Sequence, residues 1–584
     1  MTVFTAAAVQ FEPTMFEKER NVTRLLDLVR EAADKGAKLI VTPEMGTTGY
    51  CWFDRDEVST QVETIPGATT DRFAALAKEL GLHIVVGMPE VEPATGLYYN
   101  SAALIGPEGL VGKHRKSHPY ISEPKWAAPG DLGHQVFETE LGRIALLICM
   151  DIHFVETARL VALGGADVIC HVSNWLSERT PAPYWISRAF ENSCYLIESN
   201  RRGLERTVQF SGGSCVIEPD GAIAAVIDGG DGVITAEIDT DRARERVVLG
   251  EPTFAQRRPD LYRELPTGQS GWNPLDFFSL YGHRPLPAGR RSKIAAAQFA
   301  PSSNVAANLV RIAEFAGEAA AEGAALVVFP ELAVTGLEDP ASRAEGLSGV
   351  SVTRLLALAS KLKIHIVAGL AEQDGEKIYN SAVLVGPEGF VGSYRKIHLA
   401  SRDRGWASAG DSWKVFDLPL GRVGLLIGHD ALFPEAGRIL ALRGCDAIAV
   451  PAAIGGQFSF GHAGTDVAQN FPIPTGADPF HWHHFRARAG ENNVVLAFAN
   501  VLDEDAGYPG KSGVFGPETF VFPRTEAIVF EGEGVAVSEI DTSNLDTPYP
   551  TNPIRRKDLV TMRLPHHYVP LAVEAGNEQA AAVA

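Results

Sequence analysis

Three polar residues in the first half of the chain each lie just past an apolar segment. Glu44 ends "LIVTPE", Cys149 ends "LLIC", and Lys116 stands in "VGKHRKSHPY" with Glu123 a few residues later in "YISEPKW". Side chains that follow neighbouring strands meet at one edge of a sheet. We therefore expect a carboxylate, an ammonium and a thiol to meet at one site.

This combination of groups suits acyl transfer. A cysteine attacks as its thiolate, and a glutamate whose pKa is raised by burial can take the thiol proton and pass it to a leaving amine. A lysine, together with the backbone N–H after the cysteine, can donate to the oxyanion of a tetrahedral intermediate. Such chemistry needs no metal and no organic cofactor, so none is predicted. Taken alone, Cys149 would be read as a core residue, and the prediction depends on the whole set.

The chain repeats itself. "GRIALLICMD" (142–151) returns as "GRVGLLIGHD" (421–430), with Gly428 in the place of Cys149. Both repeats begin with strand–loop–helix–strand patterns, "AAAVQF" and "AAAQFA", and end with similar arginine-rich tails. Further pairs align along the chain: Gln10 with Gln298, Glu44 with Glu331, Lys116 with Lys396, and Glu191 with Glu491. An internal duplication of this kind predicts two domains of similar size.

Domain boundaries follow from the repeat. At 584 residues the chain is too long for one core, because single cores stop growing near about 250–300 residues. We predict a first domain over 1–282, a Pro- and Arg-rich linker over 283–292, a second domain over 293–570 and a small, polar, disordered tail over 571–584.

Within each copy, short apolar runs alternate with helical spacing, which predicts a layered α/β domain. Runs such as "HIVVGMPE" and "DVICHVSN" suit strands that are buried on both faces. "TTDRFAALAKELG" has the spacing of an amphipathic helix, and Gly81 is expected to terminate it.

Composition narrows the class of partner. The net charge is −20, from 52 basic and 72 acidic residues, so we expect no nucleic acid partner. No long apolar run or basic leader is visible, and we expect neither membrane insertion nor a signal peptide. The six cysteines form no C-x-x-C pair, and Cys170 and Cys445 stand in apolar runs typical of buried thiols. A cytoplasmic location is the resulting expectation.

"PEMGTTGY", "HRKSHPY" and "LLICMDIHFVE" resemble the three signature regions of the nitrilase superfamily, the carbon–nitrogen hydrolases, and "PELAVTG", "YRKIHL" and "LLIGHDALFPE" repeat them. The resemblance covers nearly the whole chain, twice. It implies an αββα sandwich in each copy, with Glu44 as general base, Lys116 as oxyanion stabiliser, Cys149 as nucleophile and Glu123 as the second glutamate. The family's usual dimer further implies that the two copies pair as an internal pseudo-dimer, with further homo-oligomers left open.

The second copy departs from the family pattern at its centre. It keeps Glu331 and Lys396, carries Asp403 at the position of the second glutamate, and has Gly428 where the nucleophile should be. Without a thiol no thioester can form, so we predict a vestigial second site and a second domain that acts as a scaffold.

The residues after the nucleophile indicate the branch. Met150-Asp151 resembles the Cys-x-Asp motif of amidases and carbamoylases, whereas nitrilases usually have Trp-Glu there. The first prediction is hydrolysis of a small amide or carbamoyl compound through a Cys149 thioester. The alternatives are a nitrilase acting on a small nitrile, acyl transfer to another nucleophile, and a non-catalytic binding or regulatory protein.

Two regions are less informative. His153, Trp175, Tyr184 and Trp185 are predicted to bind the small-molecule substrate, although they could equally pack the core. An insertion in the second copy carries His462, His481, His483 and His484 without ligand spacing to acidic or cysteine residues, so loop histidines are preferred over a metal site.

Overall fold

The computed structural model of the chain describes residues 2–176, 180–227, 229–268, 285–456, 483–519, 526–545 and 553–574. The chain divides into two compact units: the first comprises Met1–Val248 and, among the other described residues, His483 and His484, and the second comprises Leu249–Phe458 with Phe485–Ala584.

The first unit contains two six-stranded sheets and a two-stranded ribbon. The order in the first sheet is β14-β1-β2-β3-β4-β5, and in the second β13-β12-β9-β8-β7-β6. Strands β1–β3 are parallel, as are β7–β9. The strands are β1 (Val3–Gln10), β2 (Ala37–Val41), β3 (His83–Val91), β4 (Tyr98–Gly106), β5 (Gly109–Arg115), β6 (Val136–Thr139), β7 (Gly142–Ile148), β8 (Val168–Ser173), β9 (Tyr195–Asn200), β10 (Arg202–Glu205), β11 (Val208–Ser211), β12 (Cys215–Ile217), β13 (Ile223–Val226) and β14 (Gly232–Asp239).

Helices cover both outer faces of this pair of sheets. α1 and α3 pack on the first sheet, while α4 and α5 pack against the second. The sheets face each other, and the hydroxyl of Ser199 in β9 donates to the carbonyl of Val9 in β1 at 2.6 Å. The predicted αββα sandwich is thereby confirmed for this copy. The helices are α1 (Lys18–Asp34), α2 (Arg55–Val58), α3 (Ala68–Leu80), α4 (Val155–Leu163), α5 (Pro183–Asn192) and α6 (Thr240–Arg244), with 3-10 helices at Glu123–Lys125 and Cys149–His153.

Amphipathic spacing explains how the helices attach. In α1, the side chains of Val22, Leu25, Val29 and Ala32 recur at helical spacing and are buried against the sheet. α3 ends as predicted, because Gly81 adopts φ +62°, the left-handed conformation that glycine accepts without steric cost.

The second unit repeats this architecture, with sheets ordered β19-β18-β17-β16-β15-β28 and β20-β21-β22-β23-β26-β27. The strands are β15 (Arg291–Gln298), β16 (Leu326–Val328), β17 (His365–Asp374), β18 (Lys377–Gly386), β19 (Gly389–Arg395), β20 (Val415–Leu418), β21 (Gly421–Leu425), β22 (Ala447–Ala452), β23 (Val495–Asn500), β24 (Leu502–Asp503), β25 (Tyr508–Pro509), β26 (Gly513–Phe515), β27 (Glu526–Ile528) and β28 (Gly534–Asp541). The helices are α7 (Val305–Ala321), α8 (Val350–Leu362), α9 (Pro434–Leu442), α10 (His484–Glu491) and α11 (Asp558–Thr561), with 3-10 helices at Pro259–Leu261, Pro340–Arg343, Gly428–Leu432, Pro565–His567 and Val569–Ala572.

The compact units differ in extent from the predicted domains. The predicted first domain runs to residue 282, whereas the second unit already begins at Leu249. Within that unit, the hydroxyl of Tyr262 lies 2.7 Å from Nε2 of His398, and the indole of Trp413 donates to the carbonyl of Leu261 at 3.0 Å. β15 starts inside the predicted linker, and the buried Leu571 lies in a 3-10 helix at the start of the predicted tail, whose residues 575–584 lie outside the described ranges.

Candidate active site

Glu44, Lys116 and Glu123 meet in the first unit, as the sequence predicts. Each stands just past a strand or opens a 3-10 turn, and all three side chains are buried. The Lys116 ammonium donates to Oε1 of Glu44 at 2.8 Å and to Oε2 of Glu123 at 2.6 Å. One cation thus bridges two carboxylates, and the geometry fixes all three groups.

An asparagine of β4 completes this network. Nδ2 of Asn100 donates to Oε1 of Glu44 at 2.6 Å and to Oε1 of Glu123 at 2.5 Å. The other oxygen of Glu44 accepts the backbone N–H of Asn174, just past β8, at 2.7 Å. Sequence reasoning missed Asn100, although "YNSA" occurs at 99–102 and again at 379–382, a repeat that could have identified it.

Cys149 is the first residue of the 3-10 helix that directly follows β7. Its φ is +46°, a left-handed conformation that an L-residue adopts at a cost of about 1–2 kcal/mol. Its side chain is buried, with 7% of the residue exposed. The sequence predicts the cysteine at the strand end, and the structure adds a sharp backbone turn that directs it out of the strand.

Asp151 holds this turn in place. Its Oδ1 accepts the backbone N–H groups of Ser117 and His118 at 3.0 and 3.1 Å, and its Oδ2 accepts that of Ile148 at 3.1 Å. Imidazole nitrogens of His118 and His114 lie 3.1 and 2.9 Å from the same carboxylate. Burial opposes ionisation, but these histidines hold the pKa of Asp151 well below its usual range. The aspartate therefore ties the nucleophile's turn to the lysine's loop, a role that sequence reasoning did not assign to it.

Burial dominates the protonation of the reacting groups. Burial, followed by the Glu44 charge, raises the pKa of the Cys149 thiol well above its ordinary value, and Lys116 offsets this only in part. Burial also raises the pKa of Glu44, again against the opposing influence of Lys116. Burial would lower the pKa of Lys116, but Cys149 in its thiolate form and the carboxylates of Glu123 and Glu44 raise it well above its ordinary value. The resting site thus favours a neutral thiol beside a charged lysine.

The four predicted substrate-binding residues form one buried cluster. The ring of His153 stacks on Trp175 at 4.8 Å between centroids and lies 4.6 Å from Tyr184, and Trp175 meets Trp185 edge-on at 5.2 Å. Burial, then the charge of Arg188, holds the pKa of His153 well below its usual value. The structure brings these residues together, and their contact with substrate stays a prediction.

The second unit preserves the carboxylate network. The Lys396 ammonium donates to Oε1 of Glu331 at 2.8 Å and to Oδ2 of Asp403 at 2.6 Å. Asn380 donates to the same two carboxylates at 2.7 and 2.9 Å. Apart from the shorter Asp403, this arrangement matches that of Glu44, Lys116, Glu123 and Asn100.

The nucleophile position of the second unit has closed. Gly428 keeps φ +42°, but a Cβ built there would lie 2.2 Å from Oε2 of Glu331. That same oxygen is 2.6 Å from the guanidinium of Arg402, whose counterpart in the first copy is the neutral Ser122. A cavity of about 460 Å³ adjoins this site and is lined by residues that include Ser401, Arg402 and His429.

Other predicted features have simpler outcomes. Cys170 and Cys445 are buried as predicted, and all six cysteines are free thiols. Within the described ranges, no group of three or more His, Cys, Asp or Glu side chains is arranged to hold a metal ion. Among the helices that the structure describes, none is long and apolar enough to cross a bilayer. In the histidine-rich insertion, His483 and His484 are buried, while His462 and His481 lie outside the described residues.

Comparison with known proteins agrees with this architecture. The family model for carbon–nitrogen hydrolases matches residues 5–246 and again 293–547. A nitrilase of Pyrococcus abyssi is 36% identical over 259 residues, which make up 44% of this chain and 98% of that protein. An N-carbamoylputrescine amidase of Solanum lycopersicum is 34% identical (46% of this chain, 97% of the relative), and an omega-amidase of Homo sapiens is 32% identical (45% and 98%).

Each of these relatives corresponds in length to one copy of the repeat, because nearly all of the relative aligns with less than half of this chain. The two matches to the family model also cover the two sandwiches seen in the structure. The chain therefore belongs to the carbon–nitrogen hydrolase family, as a tandem, amidase-like member with two nitrilase-type domains.

Proposed function

We propose that the first copy hydrolyses a non-peptide C–N bond of a small amide or carbamoyl compound through a thioester on Cys149. The observation that carries the proposal is the buried Lys116 ammonium bridging Glu44 and Glu123, with Cys149 close enough for all three charges to act on its thiol. No cofactor takes part in the proposed reaction.

Acylation begins with a neutral thiol, so a general base is required. The Glu44 carboxylate takes the Sγ proton while sulfur attacks the carbonyl carbon. The resulting oxyanion is stabilised by the Lys116 ammonium and by the backbone N–H of Met150. Glu44 then passes its proton to the departing nitrogen as the C–N bond breaks, which leaves a thioester and releases ammonia or an amine.

Deacylation repeats these roles, with water in place of the thiol as the nucleophile. Glu44 takes a proton from a water molecule that attacks the thioester carbonyl, and the same donors stabilise the second oxyanion. Collapse of that intermediate breaks the C–S bond, returns the proton to sulfur and releases the acid. Glu123 does not exchange protons in this scheme, because its part is to hold Lys116.

The named relatives support this substrate class. Two of the three are amidases, one acting on a carbamoyl compound by its name, and Met150-Asp151 follows the nucleophile as in that branch. One relative is named a nitrilase, so a small nitrile is the second candidate. The buried cluster of His153, Trp175, Tyr184 and Trp185 is proposed to contact the substrate.

We propose that the second copy is catalytically silent. It lacks a nucleophile at Gly428, and the Arg402 guanidinium pairs with Glu331, the counterpart of the general base. A carboxylate paired with a fixed guanidinium is a poor proton acceptor. We further propose that this copy is a scaffold which pairs with the first as an internal pseudo-dimer.

The proposal is tested by ammonia release from a panel of amides, carbamoyl amino acids and nitriles. Wild type is compared with Cys149→Ala and with Cys51→Ala, which removes a partly buried thiol elsewhere in the first unit. Release by wild type and Cys51→Ala but not by Cys149→Ala is expected, with an acyl adduct on Cys149 in mass spectrometry. Equal release by Cys149→Ala would refute the thioester mechanism, and release from nitriles alone would select the second candidate.

A further inference from the structure

Three buried polar residues, His171, Ser173 and Glu198, form a hydrogen-bonded triad on strands of the second sheet, next to the Cys149 backbone. His171 in β8 and Glu198 in β9 are paired neighbours, and Nδ1 of His171 is hydrogen-bonded to the Glu198 carboxylate. Ser173 donates to the other oxygen of that carboxylate. On its opposite side, Nε2 of His171 lies 3.1 Å from the carbonyl oxygen of Cys149.

The second copy lacks this triad although it keeps the fold. The strand pairing places Val450 opposite Phe498 at the positions of His171 and Glu198, and Ala452 replaces Ser173. All three replacements are apolar and buried. The sandwich therefore does not need polar groups at these positions, and burying them carries a desolvation penalty. The copy that retains the nucleophile also retains the triad, which points to a role in catalysis.

The hydrogen bond between His171 and the Cys149 carbonyl indicates how the triad could act in catalysis. A carbonyl oxygen only accepts hydrogen bonds, so Nε2 of His171 must carry a proton. The Cys149 carbonyl and the Met150 N–H belong to one planar, trans peptide, and they point in opposite directions. A donor on the carbonyl therefore fixes where the Met150 N–H points and, by polarising the peptide, makes it a stronger donor.

Resting on the thioester mechanism proposed above, we propose that His171 is a positioning residue that orients and polarises the Cys149–Met150 peptide, so that the Met150 N–H stabilises the oxyanion. Glu198 and Ser173 hold the imidazole in place. The same contact steadies the strained left-handed backbone of Cys149.

The charges in the triad are consistent with this role. Burial lowers the pKa of His171, but the Glu198 carboxylate outweighs it and raises the pKa above its ordinary value. Burial raises the pKa of Glu198 against the opposing charge of His171. The proton shared by Nδ1 of His171 and the Glu198 carboxylate can lie on either group. In both cases Nε2 of His171 keeps its own hydrogen and donates to the Cys149 carbonyl.

Three substitutions of His171 separate the hydrogen bond from mere packing. In His171→Gln the amide nitrogen can take the position of Nε2 and donate to the Cys149 carbonyl. In His171→Asn the amide corresponds to Nδ1 and cannot reach it, and His171→Val copies the residue of the second copy. Each variant is compared with wild type by kcat and KM for ammonia release, by thermal unfolding and by the extent of Cys149 labelling.

Removing an oxyanion-hole donor costs about 10²–10³-fold in kcat. In His171→Asn and His171→Val the Met150 N–H is still present but is no longer held in direction. We therefore expect kcat to fall about 10–100-fold in these two variants, with KM changed by less than about threefold. His171→Gln should recover most of the rate. Folded Asn and Val variants with wild-type kcat would overturn the inference, as would a Gln variant no better than Val.

The wild-type protein distinguishes the two proposals. Wild-type release that does not depend on Cys149 would overturn the thioester mechanism and this inference together. Cys149-dependent release that is insensitive to His171 would overturn only the inference. Should His171→Val not fold, the comparison of Gln with Asn, which differ by one methylene, decides the question.

Discussion

Replacing the bridging lysine in each copy should separate its structural from its catalytic role. The ammonium–carboxylate distances are 2.8 and 2.6 Å in both units, and Lys116 and Lys396 are equally buried. Removing one partner from a buried ionic network costs about 3–5 kcal/mol. Lys116→Met should destabilise by this amount, and Lys396→Met by less, because the guanidinium of Arg402 still faces Glu331.

The kinetic outcomes should differ far more than the stabilities. Lys116→Met loses an oxyanion donor, so kcat/KM should fall by at least about 10²–10³-fold. Lys396→Met should stay within about twofold of wild type. The assay is steady-state ammonia release with Cys149-dependent activity as the signal, beside chemical denaturation of the same samples.

Two results would refute this reasoning. Substantial turnover by folded Lys116→Met would show that the lysine does not stabilise the transition state. A comparable loss of rate in folded Lys396→Met would show that the second site takes part in the reaction. Lys116→Arg is the matched control for charge, because it keeps the cation but not the compact ammonium that fits between the two carboxylates.

Three further predictions concern single groups. Burial raises the pKa of Glu44 above its ordinary 4.5, so the acidic limb of the kcat/KM profile should lie at a pH above that value. Glu123→Gln should move this acidic limb to lower pH, because it removes a negative charge next to Glu44. A pH profile that Glu123→Gln leaves unchanged would contradict this prediction. Gly428→Cys in a Cys149→Ala background should show no hydrolysis and lowered thermal stability, because the Cβ of the new cysteine would meet Oε2 of Glu331. Ammonia release regained by this double variant would disprove the closed site. Asp151→Asn should reduce kcat about tenfold or more, because it loosens the backbone turn at Cys149. Asp167→Asn is the control, since it changes another buried aspartate. Equal reductions of kcat in the two variants would argue against a specific role of Asp151 in positioning Cys149.

The residues at strand ends were accessible from sequence for a physical reason. Apolar runs mark buried strands, and polar groups that directly follow them face the sheet edge, so Glu44 and Cys149 could be placed together. The duplication strengthened this prediction, because Glu331 and Lys396 recur in the same local frames.

Contacts that depend on pairing register or side-chain direction could not be predicted. His171 and Glu198 stand in apolar strands, and only the register of β8 with β9 makes them neighbours. Arg402 lies within a turn, and the sequence does not say whether its guanidinium faces solvent or Glu331. The segment after Val248 reads as the end of the first repeat, yet it belongs to the second compact unit.

The closed site at Gly428 has an evolutionary consequence. Restoring the cysteine by a single substitution would place its Cβ against Glu331, while Arg402 would still hold that carboxylate. On the proposal that this copy is silent, regaining activity therefore calls for two changes, a cysteine at position 428 and release of Glu331 from Arg402. The proposed loss of catalysis would then be hard to reverse, and selection on this copy would act on its fold and no longer on its chemistry.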